Sequence, residues 1–162
     1  MIIQTICGSQ ASRHTSKVVA IIDDNESMQE SLADLIESGG FEAQCFGSAK
    51  AFLESGLHYR AACLIVDIRM PKMSGLELQA RLRQEECNVP IIFITTFEDA
   101  EIRAQAMKEG AVELLAKPFD HQLLLKMLRG TLHSETYGVG PLRFAIASRS
   151  APVLQESFPT LE

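Results

Sequence analysis

The sequence contains no block of lysines or arginines among its 162 residues, and its formal charge is −6 with a pI near 5.3. A surface that binds nucleic acid needs clustered positive charge, so this balance argues against direct nucleic-acid binding by the chain. No apolar stretch approaches the roughly 20 residues of a membrane span, and the amino terminus lacks the basic lead and long apolar segment of an export signal. We therefore expect a cytoplasmic protein without a membrane partner.

Cysteine is also scarce, with four residues scattered singly and no CxxC pair. Zinc sites and disulfide frameworks need closely spaced or paired cysteines, so neither is expected. Cys45 and Cys63 fall in predicted strands and are interpreted as core residues. The histidines show no spacing of metal ligands and are interpreted as solvent-facing: His14, His58, His121 and His133.

The sequence does contain a repeated alternation of short apolar runs and amphipathic segments. Buried-type runs begin at Val18, Cys63, Val89 and Ala111, and the stretch 41–46 alternates as an edge strand would. The helical segments between them follow a turn or a capping residue, the caps being Asn25, Ser48, Asp99 and Asp120. Five such units predict a doubly wound α/β domain with a parallel sheet covered on both faces.

The alternation occupies residues 17–133, which we interpret as one domain. Residues 1–16 are small and mixed, and they predict a flexible extension. Residues 134–162 are interrupted by glycine and proline, so they predict a tail with no recognisable output domain.

Polar residues stand where four of the predicted strands end. In a parallel sheet these ends share one edge, so the side chains should converge: Asp23, Asp24, Asp67, Thr95 and Lys117. Three close carboxylates repel one another unless they share a cation, and hard oxygen ligands favour Mg²⁺. With a lysine as second positive charge, the edge is suited to receive a phosphoryl group, and Asp67 is the candidate nucleophile. Taken singly, each residue fits a structural role such as helix capping; jointly they indicate one site.

These residues carry a family resemblance. The chain resembles response-regulator receiver domains, and locally their FixJ-like branch, at Asp23-Asp24, Asp67 with the following IRMPKMSG, Thr95 and Lys117-Pro118. The resemblance spans about residues 17–133, with each landmark in the expected order. It implies the flavodoxin-like three-layer fold of these domains, with five parallel strands in the order 2-1-3-4-5.

The resemblance also implies how the acidic residues work. By it, Asp67 is the phosphoacceptor of the domain. Mg²⁺ is expected to be bound directly by Asp24, Asp67 and the main-chain carbonyl of Arg69, while Asp23 holds a metal-bound water. Intrinsic self-phosphorylation and self-dephosphorylation are then the expected chemistry, and the chain is not expected to be an enzyme.

For the remaining residues, the resemblance implies contact with the phosphoryl group. Lys117 is expected to bind it, through a strand end whose Lys117-Pro118 bond is cis, and Thr95 is the hydroxyl that moves to hydrogen-bond it. The family pairs this hydroxyl with an aromatic residue three positions before the lysine, and this chain has Leu114 there. An aliphatic side chain cannot repeat the aromatic exchange between buried and exposed positions, so the usual readout is not expected.

Arg69 and Phe97 stand two residues after the acceptor and two after the switch threonine. A loop arginine and a loop phenylalanine are most often surface or packing residues. Our functional hypothesis is that these bulky groups restrict the water that hydrolyses the acyl phosphate, which would slow its decay.

Three functions follow from these residues. The first is a stand-alone receiver that takes a phosphoryl group from a histidine kinase or a phosphotransfer protein. In this hypothesis its state is read through protein contacts, including a phosphorylation-dependent homodimer. Phosphorylation would bias a rearrangement of the face formed by residues 99–110, the last strand and the last helix.

The second is the receiver part of a truncated FixJ-like transcriptional regulator whose DNA-binding domain is missing. The residues after His133 are too few, and too often interrupted by glycine and proline, to form such a domain themselves. If the chain is a fragment of a longer protein, nothing in the sequence excludes this second function. The third is a phosphatase of the haloacid-dehalogenase type, which needs a second acid two residues after its nucleophile. Arg69 stands at that position, so this hypothesis ranks last.

Overall fold

A computed structural model describes residues 17–97 and 99–133; the expectations for residues 1–16, His14 and residues 134–162 lie outside them. Strands and helices alternate along the described chain. Their bounds are β1 Val18–Ile22, α1 Glu26–Ser38, β2 Glu42–Phe46, α2 Ala49–Ser55, a 3₁₀ turn Leu57–Tyr59, β3 Cys63–Asp67, α3 Gly75–Gln84, β4 Ile91–Thr95, α4 Ala100–Lys108, β5 Glu113–Ala116 and α5 His121–His133. No helix in this part of the chain has the length and apolarity to cross a membrane.

The five strands form one sheet in the order β2-β1-β3-β4-β5, and every neighbouring pair is parallel. This confirms the predicted doubly wound fold and its strand order. The register places Ile22 beside Val66, and Thr95 beside Ala116. The carboxyl ends of the four strands β1, β3, β4 and β5 therefore lie along a single edge.

Each strand alternates its side chains between two cores, one on each face of the sheet. The first core packs strand residues such as Ile65 against α1 and α5, through Leu32 and Leu128. The second packs residues such as Val66 against α2, α3 and α4, through side chains that include Phe52 and Leu78. The central strands β3 and β4 are buried on both faces, which explains their continuous apolar runs.

The predicted caps are confirmed at the starts of the helices. Asn25 and Ser48 accept hydrogen bonds from backbone N–H groups in the first turns of α1 and α2. Asp99 and Asp120 do the same for α4 and α5. The α3 helix begins with a capping box, in which Ser74 and Glu77 exchange side-chain and backbone hydrogen bonds.

The prediction that Cys45 is a core residue was wrong, because Cys45 is exposed. It shares the strand alternation of Phe41 and Ala43, both of which are partly buried in the core beneath α1. The edge strand β2 has β1 on one side only, and Cys45 lies near its outer end, where its sulfur reaches the Gln29 carbonyl at the start of α1. Cys63, on the central strand β3, is buried as predicted.

The prediction that His58 faces solvent was also wrong, since only 6% of the residue is exposed. The 3₁₀ turn brings the imidazole between the rings of Phe52 and Tyr59, with centroid distances of 5.9 and 4.0 Å. Its Nε2 lies 3.5 Å from a carboxylate oxygen of Glu85, at the end of α3. His121 and His133 are exposed, as predicted.

Candidate functional site

The site lies at the carboxyl edge of the sheet, where four of the five strands contribute their last residue or the one that follows. Asp23 comes directly after β1, Asp67 ends β3, Thr95 ends β4 and Lys117 comes directly after β5. The edge is closed by the main chain, because the Lys117 N–H donates to the Thr95 carbonyl over 2.7 Å. Residues distant in sequence are thus held together by the strand pairing itself.

Three carboxylates form a tight cluster at this edge. Oxygens of Asp23, Asp24 and Asp67 all lie within 4.8 Å of one another. Asp23 and Asp67 are buried and Asp24 is exposed, so the cluster opens to solvent on one side. Asp23 is fixed by its own surroundings: its Oδ1 accepts from the Asn25 N–H over 2.9 Å, and its N–H donates to the Phe46 carbonyl over 3.1 Å.

Lys117 supplies the positive charge of the site. Its Nζ lies 3.1 Å from Asp23 Oδ2 and 3.8 Å from Asp67 Oδ2, so it pairs more closely with Asp23. The lysine side chain is largely buried, which strengthens its electrostatic interaction with both carboxylates. One lysine against three carboxylates leaves the cluster with excess negative charge.

The pKa of Asp67 lies above its ordinary value. Burial is the largest cause of this increase. The Lys117 ammonium lowers the pKa, the charge of Asp23 raises it, the backbone N–H of Arg69 lowers it, and Asp24 raises it further. The ionised form of Asp67 is therefore destabilised, and a further cation at the cluster would relieve it.

The donor set fits a hard divalent cation. Carboxylate oxygens are the ligands that Mg²⁺ prefers, and the open side at Asp24 leaves room for the waters that this ion retains. Arg69 lies two residues after Asp67 in the chain. Its N–H donates to Asp67 Oδ1 over 3.3 Å, so the backbone at Arg69 is held against the carboxylate cluster.

Thr95 is buried, and its hydroxyl is engaged with the backbone of Phe97. The hydroxyl donates to the Phe97 carbonyl over 3.1 Å, and the Phe97 N–H donates to Thr95 Oγ1 over 3.2 Å. To reach a group on Asp67, this hydroxyl has to exchange its bond to the carbonyl. The exchange would alter the loop that leads from β4 into α4.

Arg69 and Phe97, which the sequence marked separately, are in contact. The guanidinium carbon of Arg69 lies 4.4 Å from the centroid of the Phe97 ring, within the range of a cation–π interaction. Both residues are exposed. The pair therefore joins the loop after Asp67 to the loop after Thr95 on the outer surface of the site.

Gly75 is a site residue whose importance the sequence interpretation missed. It begins α3, and a Cβ there would lie 2.6 Å from the Asp67 carbonyl and 3.1 Å from Ile68 Cα. Its N–H donates to the Ile68 carbonyl over 2.9 Å. The first turn of α3 thus rests directly on the backbone of the candidate acceptor. The glycine that follows MPKMS in the sequence could have indicated this contact, since two backbone segments can approach this closely only where one residue has no Cβ.

Comparison with known proteins supports one family. Residues 19–129 match a model of the family described as the response regulator receiver domain. The chain is similar to Nodulation protein W of Bradyrhizobium diazoefficiens, with 41% identity over 118 residues, covering 73% of this chain and 52% of that protein. It is similar to Transcriptional regulatory protein FixJ of Azorhizobium caulinodans, with 39% identity over 114 residues, covering 70% and 54%.

The fold of the chain is also similar to that of a solved response-regulator structure. The chain is similar to the response regulator StyR, with a TM-score of 0.69 and 40% identity, over 75% of this chain and 61% of that one. The chain spans about half the length of the curated relatives it matches.

Proposed function

Because the chain belongs to the response regulator receiver domain family, we propose that it accepts a phosphoryl group on Asp67 and changes its protein contacts in response. The donor is a histidine kinase or a histidine phosphotransfer protein. The observation that carries the proposal is the position of the Asp67 carboxylate, beside two further carboxylates and 3.8 Å from the Lys117 ammonium. We place this reaction in the cytoplasm.

In the reaction, a carboxylate oxygen of Asp67 attacks the phosphorus of a phosphohistidine. An O–P bond forms, the P–N bond breaks, and the imidazole leaves. Burial raises the pKa of Asp67, so its carboxylate is more basic than an exposed one and a better nucleophile once ionised. Positioning and charge neutralisation supply most of the catalysis.

Asp24, Asp67 and the main-chain carbonyl of Arg69 would hold Mg²⁺ directly, with Asp23 holding a metal-bound water. When bound, the ion neutralises the carboxylates and the incoming phosphoryl oxygens. Lys117 is placed to exchange part of its interaction with Asp23 for a phosphoryl oxygen. Its positive charge then opposes the charge that develops on the transferring group.

Thr95 converts the modification into a change of shape. Its hydroxyl leaves the Phe97 carbonyl and donates to a phosphoryl oxygen, and the loop into α4 follows. The face formed by residues 99–110, β5 and α5 is then the surface that a partner protein, or a second copy of the chain, reads.

The test is incubation with Mg²⁺ and acetyl phosphate, followed by intact mass and oligomeric state. Wild type is expected to gain one phosphoryl group, and Asp67→Asn to gain none. Asp34→Asn, which removes an exposed carboxylate on α1, is the matched control and should be modified like wild type. A phosphoryl group on Asp67→Asn would refute the assignment of the acceptor, while a shift of wild type to dimer would identify self-association as the output.

A second candidate is supported by the coverage of the relatives. The matched region is about half of Nodulation protein W and of FixJ, and the latter is named a transcriptional regulatory protein. The chain would then act as the receiver part of a longer regulator, whose other part would bind DNA. The intact mass of the protein isolated from its source decides between the two candidates, because a longer regulator would be heavier than 17.9 kDa.

We also propose that the chain turns over no phosphate ester. A phosphatase of the haloacid-dehalogenase type requires an acid where this chain carries Arg69, and that side chain stacks on Phe97. Incubation with p-nitrophenyl phosphate and Mg²⁺ should release no nitrophenol beyond the level of Asp67→Asn. Sustained release by wild type alone would favour the enzyme.

A further inference from the structure

Leu114 has no freedom to act as a moving switch through its side chain. The residue is 1% exposed and belongs to the core between the sheet and the helices α2, α3 and α4. Turning it outward would open that core. A conformational change at the site therefore has to reach β5 through atoms other than the Leu114 side chain.

The backbone of Leu114 supplies a different connection. On this edge strand, its N–H donates to Glu113 Oε1 over 2.9 Å, and its carbonyl accepts from Arg103 Nη2 over 2.8 Å. Arg103 also donates through Nη1 to Glu113 Oε1 over 2.6 Å. An arginine from α4 and a glutamate from β5 thus occupy the hydrogen-bonding positions that a neighbouring strand would take.

The pair is well placed for a strong interaction. The guanidinium group makes two hydrogen bonds in a fixed geometry, one to a charged oxygen and one to a carbonyl. The Glu113 side chain is only 17% exposed and that of Arg103 38%, so solvent weakens the pair less than a fully exposed one.

We infer that the Arg103–Glu113 pair is a latch that holds α4 to the edge of β5 and opposes the rearrangement driven by phosphorylation; this rests on the proposed function. Both halves of the latch connect to the site. The loop after Thr95 leads directly into α4, and the far end of β5 is joined to Thr95 through the Lys117 N–H. Movement of the Thr95 hydroxyl towards Asp67 therefore displaces α4 relative to β5.

The other end of α4 is held to a different neighbour. Gln79 on α3 donates to the Ala106 carbonyl over 3.2 Å, and Arg83 donates to the carbonyl and the carboxylate of Glu109, both over 2.8 Å. These contacts anchor the second half of α4 on α3. The first half of α4 is therefore the part that is free to move relative to α3. To move, it has to break the contacts of Arg103 with β5.

The test uses beryllofluoride, which mimics a phosphoryl group on a carboxylate, in the presence of Mg²⁺. A ligand that favours the rearranged state binds more tightly when bonds of the other state are removed. Arg103→Gln and Glu113→Gln should each raise the apparent affinity about fivefold, the low end of allosteric couplings. Glu113→Gln retains an oxygen for the Leu114 N–H, so it removes the charge pair with little other change.

Three comparisons keep the result specific. Arg83→Gln breaks the similar pair on the α3 side and should leave the affinity unchanged; an equal increase there would mean general loosening of α4 and would overturn the latch. The double variant Arg103→Gln/Glu113→Gln should bind no more tightly than Arg103→Gln alone, because that single variant already breaks the pair with Glu113. Unfolding in urea shows whether each variant is folded, and Arg103→Lys, a milder change, should give part of the increase.

The outcomes also separate this inference from the function on which it rests. If wild type binds beryllofluoride and the latch variants bind no more tightly, Asp67 remains the acceptor and the latch is wrong. If wild type does not bind at all, the proposed acceptor site fails, and the latch fails with it.

Discussion

Lys117 Nζ lies closer to Asp23 Oδ2, at 3.1 Å, than to Asp67 Oδ2, at 3.8 Å. The lysine is therefore held mainly by Asp23, beside the proposed acceptor Asp67. This arrangement would keep the ammonium group within reach of a phosphoryl oxygen on Asp67 while its closer partner remains Asp23. It also partly cancels the repulsion between the two buried carboxylates.

Replacing Lys117 by Gln should slow phosphorylation by acetyl phosphate roughly 10²-fold, the cost of removing one group that stabilises the developing charge. The rate can be measured from the intact mass over time at fixed Mg²⁺. Lys126→Gln removes an exposed lysine on α5 and should leave the rate unchanged. A wild-type rate in Lys117→Gln would contradict the role of the ammonium group.

Asp67→Asn should stabilise the metal-free protein at pH 7. The pKa of Asp67 in the folded protein lies above its ordinary value of 3.8, chiefly because of burial. The native state therefore binds the proton more tightly than the unfolded state, and stability falls as pH rises from near 3.8 through the raised pKa. Asn cannot ionise, so the variant avoids this loss.

Thermal unfolding in EDTA checks this prediction. The Tm of Asp67→Asn should exceed that of wild type at pH 7, and the difference should shrink as the pH is lowered through the raised pKa. Asp34→Asn, at an exposed position, should show no comparable gain. A lower Tm for Asp67→Asn at pH 7 would mean that the ionised carboxylate stabilises the fold.

Gly75→Ala should weaken Mg²⁺ binding roughly tenfold or more, as changes next to metal ligands do. The new Cβ would meet the Asp67 carbonyl at 2.6 Å, and backbone cannot move aside as a side chain does. Gly39→Ala is the matched control, because its Cβ would meet a Leu125 methyl group at 2.7 Å, between α1 and α5.

Each of these glycine variants should lose about 1–3 kcal/mol of stability through overpacking. Calorimetric titration with Mg²⁺ should find the affinity lowered in Gly75→Ala alone. Equal affinities in the two variants would show that Gly75 supports the fold without positioning the ligands.

Arg69→Ala and Phe97→Ala should each shorten the half-life of the acyl phosphate roughly two- to fivefold, the equivalent of one exposed cation–π contact. The stacked pair joins two loops at the outer surface of the site. In our hypothesis it restricts the approach of water to the phosphoryl group. Loss of phosphate can be followed by intact mass after removal of the phosphodonor.

The double variant should decay no faster than the faster single variant, since the two residues act as one cover. Tyr59→Ala and Arg60→Ala alter exposed residues that precede β3, away from the carboxyl edge, and should not change the half-life. Unchanged decay in Arg69→Ala and Phe97→Ala would show that the pair is only a surface contact.

The topology and the convergence of the strand ends were predictable because both follow from the backbone pattern. Continuous apolar runs indicate buried strands, and parallel strands place Asp67, Thr95 and Lys117 at one edge whatever the details of packing. The cis Lys117-Pro118 bond, expected from the resemblance, is present. The family resemblance itself is confirmed.

The errors concern side chains whose environment depends on neighbours distant in sequence. The alternation of β2 predicts the face of Cys45, but it does not show how far the core extends beneath an edge strand. A polar ring such as His58 is buried because a 3₁₀ turn folds it between Phe52 and Tyr59. The contacts of Arg69 with Phe97, and of Arg103 with Glu113, likewise depend on how separate loops and helices meet.

The order of the strands also affects the protein while it is being made. Asp67 leaves the ribosome well before Lys117, and β5 is the last of the five strands to be synthesised. Until that strand is made and docks, the aspartates lack the lysine that pairs with them. If Asp67 is the acceptor, as proposed, a nascent chain has no complete acceptor site, and we expect efficient phosphorylation only after synthesis has passed the last strand.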